Sequence, residues 1–315
     1  MTLISKTSIV EDDAYSIDWL RVILDIDHDS HSLNDGIRVD LRRTEDGYDN
    51  ENKMLSFRPL DIKGSHNSHL TIKSQADGLL QVEGNFYKWL HGHNITGSTD
   101  LIGLVCTVVK QLSQDRPKDI YPSPEQLKQL ESGDFKVNMV DINKPILLDD
   151  KDQALKYLER LKLYSSYPYR RDKTIYGNGI YFNENSKRSV LKYYFKGNEI
   201  KVNCKNQTKL TPELVDLADR MIRCELRIKW TQLKDWGLLQ GSDWSSSKVK
   251  QLIDDTHSRL RLPAATDYNH LPTKYVRFIA CYKQGVLDCY SDTTIKRMKS
   301  DLIRKFGYYL DQEAA

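Results

Sequence analysis

The first third of the chain alternates apolar and polar residues over short spans bounded by Gly, Asn and Asp, which is the pattern of strands and turns. Ile17–Asp25 predicts a strand, and Met54–Ile62, His69–Ser74 and Leu79–Phe86 predict further short ones. From Asp100 to Leu112 the residues are mostly apolar over a helical length, with Ser98 or Thr99 as the expected cap. Phe135–Ile142 reads as a strand. Asp150–Leu163 repeats Ala154, Leu155, Leu158 and Leu161 at helical spacing behind an acidic first turn. Gly179–Asn183 and Ser189–Phe195 are strand-like. Gly197-Asn198 is a turn signal that predicts an antiparallel hairpin of Val190–Phe195 with Glu199–Asn203. Thr211-Pro212-Glu213 opens a helix, Arg223–Lys229 is a strand, and the last eighty residues read as helical, most clearly in Tyr275–Tyr282 and Thr294–Phe306. The pattern predicts an α+β fold, a mainly antiparallel sheet with flanking helices over residues 1–238. A small helical, helix-turn-helix-like domain is expected over 239–315, with the boundary between Trp236 and Trp244.

Composition narrows the function classes. The longest mostly apolar run, Leu101–Val109, is about half of the roughly 20 residues a membrane-spanning helix needs, so no membrane association is expected. Eighteen Tyr, seven Phe and five Trp supply a core and argue against disorder. The five cysteines are scattered, without C-x-x-C spacing, and no cationic-then-apolar leader opens the sequence. A reduced, cytoplasmic protein is expected. The net charge of +3 conceals an asymmetry: residues 1–50 carry 12 acids and 5 bases, 155–200 carry 10 bases and 4 acids, and 291–306 carry 5 bases and 2 acids. Two basic zones on a near-neutral chain point to a polyanionic partner.

Several residue groups could carry chemistry. In His91-Gly92-His93 an extended backbone would turn both imidazoles to one side, as a divalent metal needs. The overlapping segment Gly92-His-Asn-Ile-Thr-Gly97-Ser98-Thr99 imitates a phosphate-binding loop, with two Gly at the right separation and hydroxyls after them, but lacks its Lys, which excludes a nucleoside triphosphatase and leaves a polar loop opening a helix. In Tyr193-Tyr194-Phe195-Lys196 an ammonium group lies within reach of a tyrosine, where it could lower the hydroxyl pKa or stabilise phosphate charge. On a strand Tyr194 shares a face with Lys196; on a helix Tyr193 does. Asp141 and Glu225 are acids inside apolar strands, either of which could complete a metal site with the histidines. Near the end, a capped basic helix carries Lys296, Arg297, Lys299, Arg304 and Lys305 and suits a DNA-recognition helix.

Taken in order, these segments resemble the replication initiators of filamentous phages, the gene II/X family, over most of the chain. Ser16-Ile-Asp-Trp-Leu-Arg-Val22 is similar to the family's opening strand. Leu90-His-Gly-His-Asn-Ile-Thr-Gly-Ser-Thr-Asp-Leu101 resembles its most specific motif. Phe182-Asn-Glu-Asn-Ser186 with Tyr194-Phe-Lys196 resembles the segment of its nucleophilic tyrosine. Ile222–Lys229 followed by Leu233-Lys-Asp-Trp-Gly-Leu238 resembles its acid-bearing strand and next helix, and Thr294–Gly307 its terminal module. The resemblance implies a sequence-specific, metal-dependent DNA nickase for rolling-circle replication. Tyr194 is its expected nucleophile, with Tyr193 the alternative in the Tyr-x-x-Lys spacing of wider nickases. Lys196 is expected to assist, and Lys192 and the terminal basic residues to bind DNA. Mg²⁺ or Mn²⁺ would be held by His93, His91 and one of Asp141 or Glu225. Gln can stand in the family at the position of His91, which puts more weight on His93. Implied partners are origin DNA, duplex and single-stranded, and a host helicase and polymerase. The competing reading is a DNA-binding regulator of replication without enzymatic activity.

Overall fold

The computed structural model describes residues 15–45, 47–64, 66, 68–75, 78–168, 172–203, 210–262, 271–306 and 310. Strands β1 (Ser16–Leu24), β4 (Leu60–Lys63), β5 (His69–Ser74), β6 (Leu80–Gly84), β7 (Lys136–Leu147), β8 (Lys173–Tyr176), β9 (Gly179–Phe182), β10 (Ser189–Phe195) and β11 (Met221–Lys229) form a nine-stranded antiparallel sheet in the order β4-β5-β6-β1-β7-β11-β10-β9-β8. A separate two-stranded ribbon, β2 (Ile37–Thr44) with β3 (Gly47–Phe57), precedes β4. The segment expected as one strand from Met54 to Ile62 is thus divided between β3 and β4. Pro59 stands at the break, where its missing N–H cannot continue a ladder.

Strand alternation gives the sheet two unlike faces. Leu20, Val22, Ile72, Val82, Val140, Ile142, Leu226, Leu191 and Tyr193 are buried on one face. Helices α4 (Lys151–Tyr164), α7 (Trp230–Trp236) and α8 (Ser246–Ser258) pack on that side, and α2 (Leu101–Asp115) and α3 (Pro124–Glu131) complete the layer. The other face carries polar and aromatic side chains in cross-strand register. They run from Asp61, Thr71, Glu83 and Arg21 through Trp19, Asp141 and Arg227 to Glu225, Lys192 and Tyr181, and to Arg223 and Tyr194.

Two expectations are corrected. The residues after β10 form helix α5 (Lys196–Asn203), not a hairpin strand. Both edges of β10 are already paired, to β9 and β11, so no ladder is open to Glu199–Asn203. Helix α8 lies beyond Leu238 yet puts Val249 and Ile253 into the main core, so the residues sharing that core run past the expected boundary at 238. A second small core, Leu271, Tyr275, Phe278, Ile279, Met298 and Leu302, belongs to α9 (Thr273–Lys283) and α10 (Asp292–Phe306). Among the described residues no helix is long and apolar enough to cross a membrane.

Candidate active site

The site forms where one loop folds over the polar face. Helix α1 (Phe86–His91) is opened by Asn85 and closed by Gly92, whose left-handed backbone (φ 86°) is available to glycine at little cost. The loop then runs to Asp100, the cap of α2, in place of the expected Ser98 or Thr99. It is tied down at both ends: Ile17 N donates to Ser98 O (2.9 Å), and Arg223 Nη2 donates to Ile95 O (2.7 Å). Gly97 permits the closest approach, since a Cβ there would stand 2.3 Å from Ser16 Cβ.

Asn94 is the link between strand and loop. Its Nδ2 donates to Asp18 Oδ1 (2.9 Å) and its Oδ1 accepts from Lys196 Nζ (2.9 Å). Asp18 also accepts from Asn85 Nδ2 (3.0 Å) and lies 3.6 Å from Arg223 Nη1. Lys196 and Arg223 are both fully buried, so two cations share one acid, helped by Glu199, 2.5 Å from Lys196 Nζ. Burial and the neighbouring Arg223 bring the Lys196 ammonium down to about 8 against the pull of Glu199 and Asp18. For Asp18, burial would raise the pKa, but Arg223, Lys196 and the Asn94 hydrogen bond together hold it below the usual value.

The two adjacent tyrosines face opposite ways. Tyr193 is buried in the helix-covered core, with its hydroxyl 3.1 Å from His257 Nδ1 and its ring against Phe182. Tyr194 lies on the polar face opposite Arg223 in register, with Lys192 Nζ and Lys196 Nζ 5.9 and 6.0 Å from its ring centre. The expectation that a neighbouring lysine lowers the hydroxyl pKa is overturned. Burial, reinforced by Glu225, raises it well above 10 despite Arg223, so Tyr194 rests protonated.

The histidines and acids do not assemble as expected. His91 ends a helix and His93 begins the loop, so the pair is not on an extended strand. Both pack around Tyr87, at ring-centre distances of 4.4 and 5.8 Å, and a Cβ on Gly92 would stand 2.9 Å from the His66 ring. His93 Nδ1 is buried without a hydrogen-bond partner, and burial together with His91, Lys196 and Arg223 lowers its pKa, leaving a neutral imidazole. Asp141 is committed to Arg227, which donates to it at 2.6 and 2.8 Å, and Glu225 is ion-paired with Lys192. Burial and nearby Asp141 push Glu225 up to about 8 against the pull of Lys192. No group of three or more His, Cys, Asp or Glu placed to hold a metal occurs among the described residues. His91, His93, Asp141 and Glu225 are thus not gathered into one ligand set among the described residues.

Other basic residues divide by their partners. Within 155–200, Lys162 donates to Gly177 O (2.8 Å), Lys173 to Ser165 O (2.9 Å), and Arg188 pairs with Asp235, whereas Lys192 and Lys196 stand at the site. On α10, Lys296 and Arg297 are exposed, whereas Lys299 donates to Tyr282 Oη (2.8 Å) and Arg304 and Lys305 pair with Asp301. Sequence reasoning missed Asp18, Asn94, Arg223 and the tyrosines 176 and 181. An acid within the apolar β1 pattern was the one available signal.

A family model for the N-terminal part of the phage replication-associated protein, the gene II protein, matches residues 16–247. The chain is 30% identical over 266 residues to the replication-associated gene II protein of Enterobacteria phage I2-2, covering 78% of this chain and 75% of that protein. This chain belongs to that family of replication-associated proteins. Among solved structures it is similar to the rolling circle replication initiator protein from Geobacillus stearothermophilus. The identity is 11% and the TM-score 0.34, over 87% of this chain and 97% of that one, too distant a likeness to bear on the site.

Proposed function

We propose that the protein is a DNA endonuclease and strand transferase that nicks a replication origin and starts rolling-circle synthesis, with Tyr194 as the nucleophile. The observation that carries this reading is the setting of Tyr194. It lies on the polar face, away from the core helices, and lines a cavity with two lysines about 6 Å from its ring, while Tyr193 is spent in the core. Tyr194 Oη attacks the scissile phosphorus in line and the P–O3′ bond breaks. The products are a 5′-phosphotyrosine and a free 3′-hydroxyl that primes synthesis. The phenolic proton passes to Lys196, whose amine is neutral in a usable fraction near pH 8, and the departing 3′ oxygen takes up a proton. Lys192 and the buried Arg223 supply positive charge near the developing phosphorane. The energy of the phosphodiester is kept in the protein–DNA bond, so rejoining needs no nucleoside triphosphate, in keeping with a loop that lacks the phosphate-binding Lys. Lys296 and Arg297 on the exposed side of α10 are the proposed duplex contacts, and host helicase and polymerase would extend the primer.

The test is supercoiled plasmid carrying the cognate origin, incubated with the protein and either Mg²⁺, Mn²⁺ or EDTA. Relaxation with a protein–DNA adduct that survives denaturation is the expected result. A mobility shift on DNA that stays supercoiled identifies a binding regulator instead.

A further inference from the structure

Beside Tyr194 is a cavity of about 300 Å³, bounded on one side by Tyr176 and Tyr181 and on the other by Asp18, Glu199 and Glu225. The polar groups of its wall decide what it can hold. Three carboxyl side chains, Asp18, Glu199 and Glu225, face it with one ammonium, Lys192, which is already paired with Glu225. Lys196 and Arg223 stand behind Asp18 and Glu199, so these acids are balanced and the wall is rich in carboxyl oxygens without a large net charge. It accepts hydrogen bonds, and Asn178, whose Nδ2 donates to Phe195 O (3.2 Å), adds a carbonyl acceptor. One side of the wall is aromatic. Tyr176 and Tyr181 of the edge hairpin β8–β9 meet edge to face, with ring centres 5.0 Å apart. Tyr176 is 45% exposed, and its hydroxyl donates to Glu184 (2.7 Å), which fixes the ring at the cavity mouth. An uncharged, flat ligand with N–H donors on its edge matches the aromatic side and the carboxyl and amide oxygens of this lining.

We propose that the cavity takes one unpaired nucleobase of the cleaved strand, from the nucleotide next to the phosphate that Tyr194 attacks, stacked on Tyr181 with the Tyr176 ring at its edge and held by its N–H donors to the acceptor wall. The proposal rests on the nickase reading. It adds a base-specificity site that turns the scissile phosphate toward Tyr194, much as enzymes acting on nucleic acid hold an extruded base between aromatic and polar side chains. The base enters the acceptor-rich end of the pocket beside the hairpin, which leaves the adjoining phosphate next to Tyr194 and Lys192.

The test is a binding measurement independent of cleavage. The full chain carrying Tyr194→Phe, which cannot form the covalent link, is titrated by fluorescence anisotropy into single-stranded oligonucleotides of the cognate origin. Each of the nucleotides flanking the nick is replaced in turn by an abasic residue. One position is expected to weaken binding about tenfold, the scale of a lost base–aromatic stack. Tyr181→Ala should weaken the intact oligonucleotide by a similar factor and remove the penalty at that one position. Tyr181→Phe should keep both, and Tyr176→Ala, at an exposed position, should reproduce part of the effect in a protein whose fold is undisturbed. A flat abasic scan, or a penalty that Tyr181→Ala and Tyr176→Ala leave unchanged, overturns the proposal. Nicking by the native chain with a flat scan would refute the cavity alone. A coupled position in a chain that never nicks would refute the nickase reading and leave the base site standing.

Discussion

Replacing Asp18 by Asn keeps the shape of the side chain and one acceptor for Asn94, and removes the negative charge that two buried cations share. The nearest ion-pair contact is Arg223 Nη1 at 3.6 Å. At an effective dielectric near 20 that contact is worth about 4–5 kcal/mol, and breaking one side of a buried pair typically costs about 3–5 kcal/mol because the partner is left charged. Asp18→Asn is therefore expected to lower the unfolding free energy by about 3–4 kcal/mol, read by urea denaturation with tryptophan fluorescence. Adding Arg223→Met removes the stranded charge and should recover at least half of the loss. The pH dependence has a defined sign. Asp18 has its folded pKa held below 3.8, so its contribution is fully present above that value and is lost as pH falls through the lowered one. The variant should lack that part of the acid-induced destabilisation. A loss under about 1 kcal/mol, or a double variant no more stable than Asp18→Asn, would show that Asp18 does not balance these cations.

Tyr194→Phe should abolish the covalent adduct while leaving origin binding within a few-fold. Tyr193→Phe should still nick, at a stability cost of about 1 kcal/mol for the hydrogen bond to His257, as measured by adduct trapping and denaturation. Single-turnover nicking should rise about tenfold per pH unit up to about 8 and level off above it, as Lys196 loses its proton, and Lys196→Arg should give a slow, flat profile. Truncation after Leu262 leaves the main core whole, because the buried residues of the second cluster all lie in 271–302. Cleavage of single-stranded origin DNA should survive and duplex recognition should be lost. With Lys299, Arg304 and Lys305 held by internal partners, Lys296 and Arg297 remain for phosphates. The slope of log affinity against log salt should flatten by about 2.

The strands were legible because alternation is a local property. His69–Ser74 and Ser189–Phe195 were read with their full bounds, and α4 follows the Ala154, Leu158, Leu161 spacing into the core. What was not legible depends on which face of the sheet is covered and which edges are taken. Gly197-Asn198 has the composition of a hairpin turn, but β10 already had partners on both sides, one of them β11, some thirty residues later in the chain. Asp141 and Glu225 looked alike as acids in apolar strands, and nothing local announced that Arg227 and Lys192 stand beside them. Asp18 and Asn94 meet only because the loop after α1 folds back over β1. The tyrosine pair illustrates the limit most clearly. Adjacent residues on a strand must point to opposite faces, so recognising the strand at once makes one of Tyr193 and Tyr194 a core residue. Deciding which one requires the helices: α4 contacts β10 on the face that carries Leu191 and Tyr193. Once that side is covered, Tyr194 alone is left facing the lysines. Strand alternation accounts for Lys192, two residues before Tyr194 on the same face, while Lys196 reaches that side from the start of α5 and could not be placed by alternation.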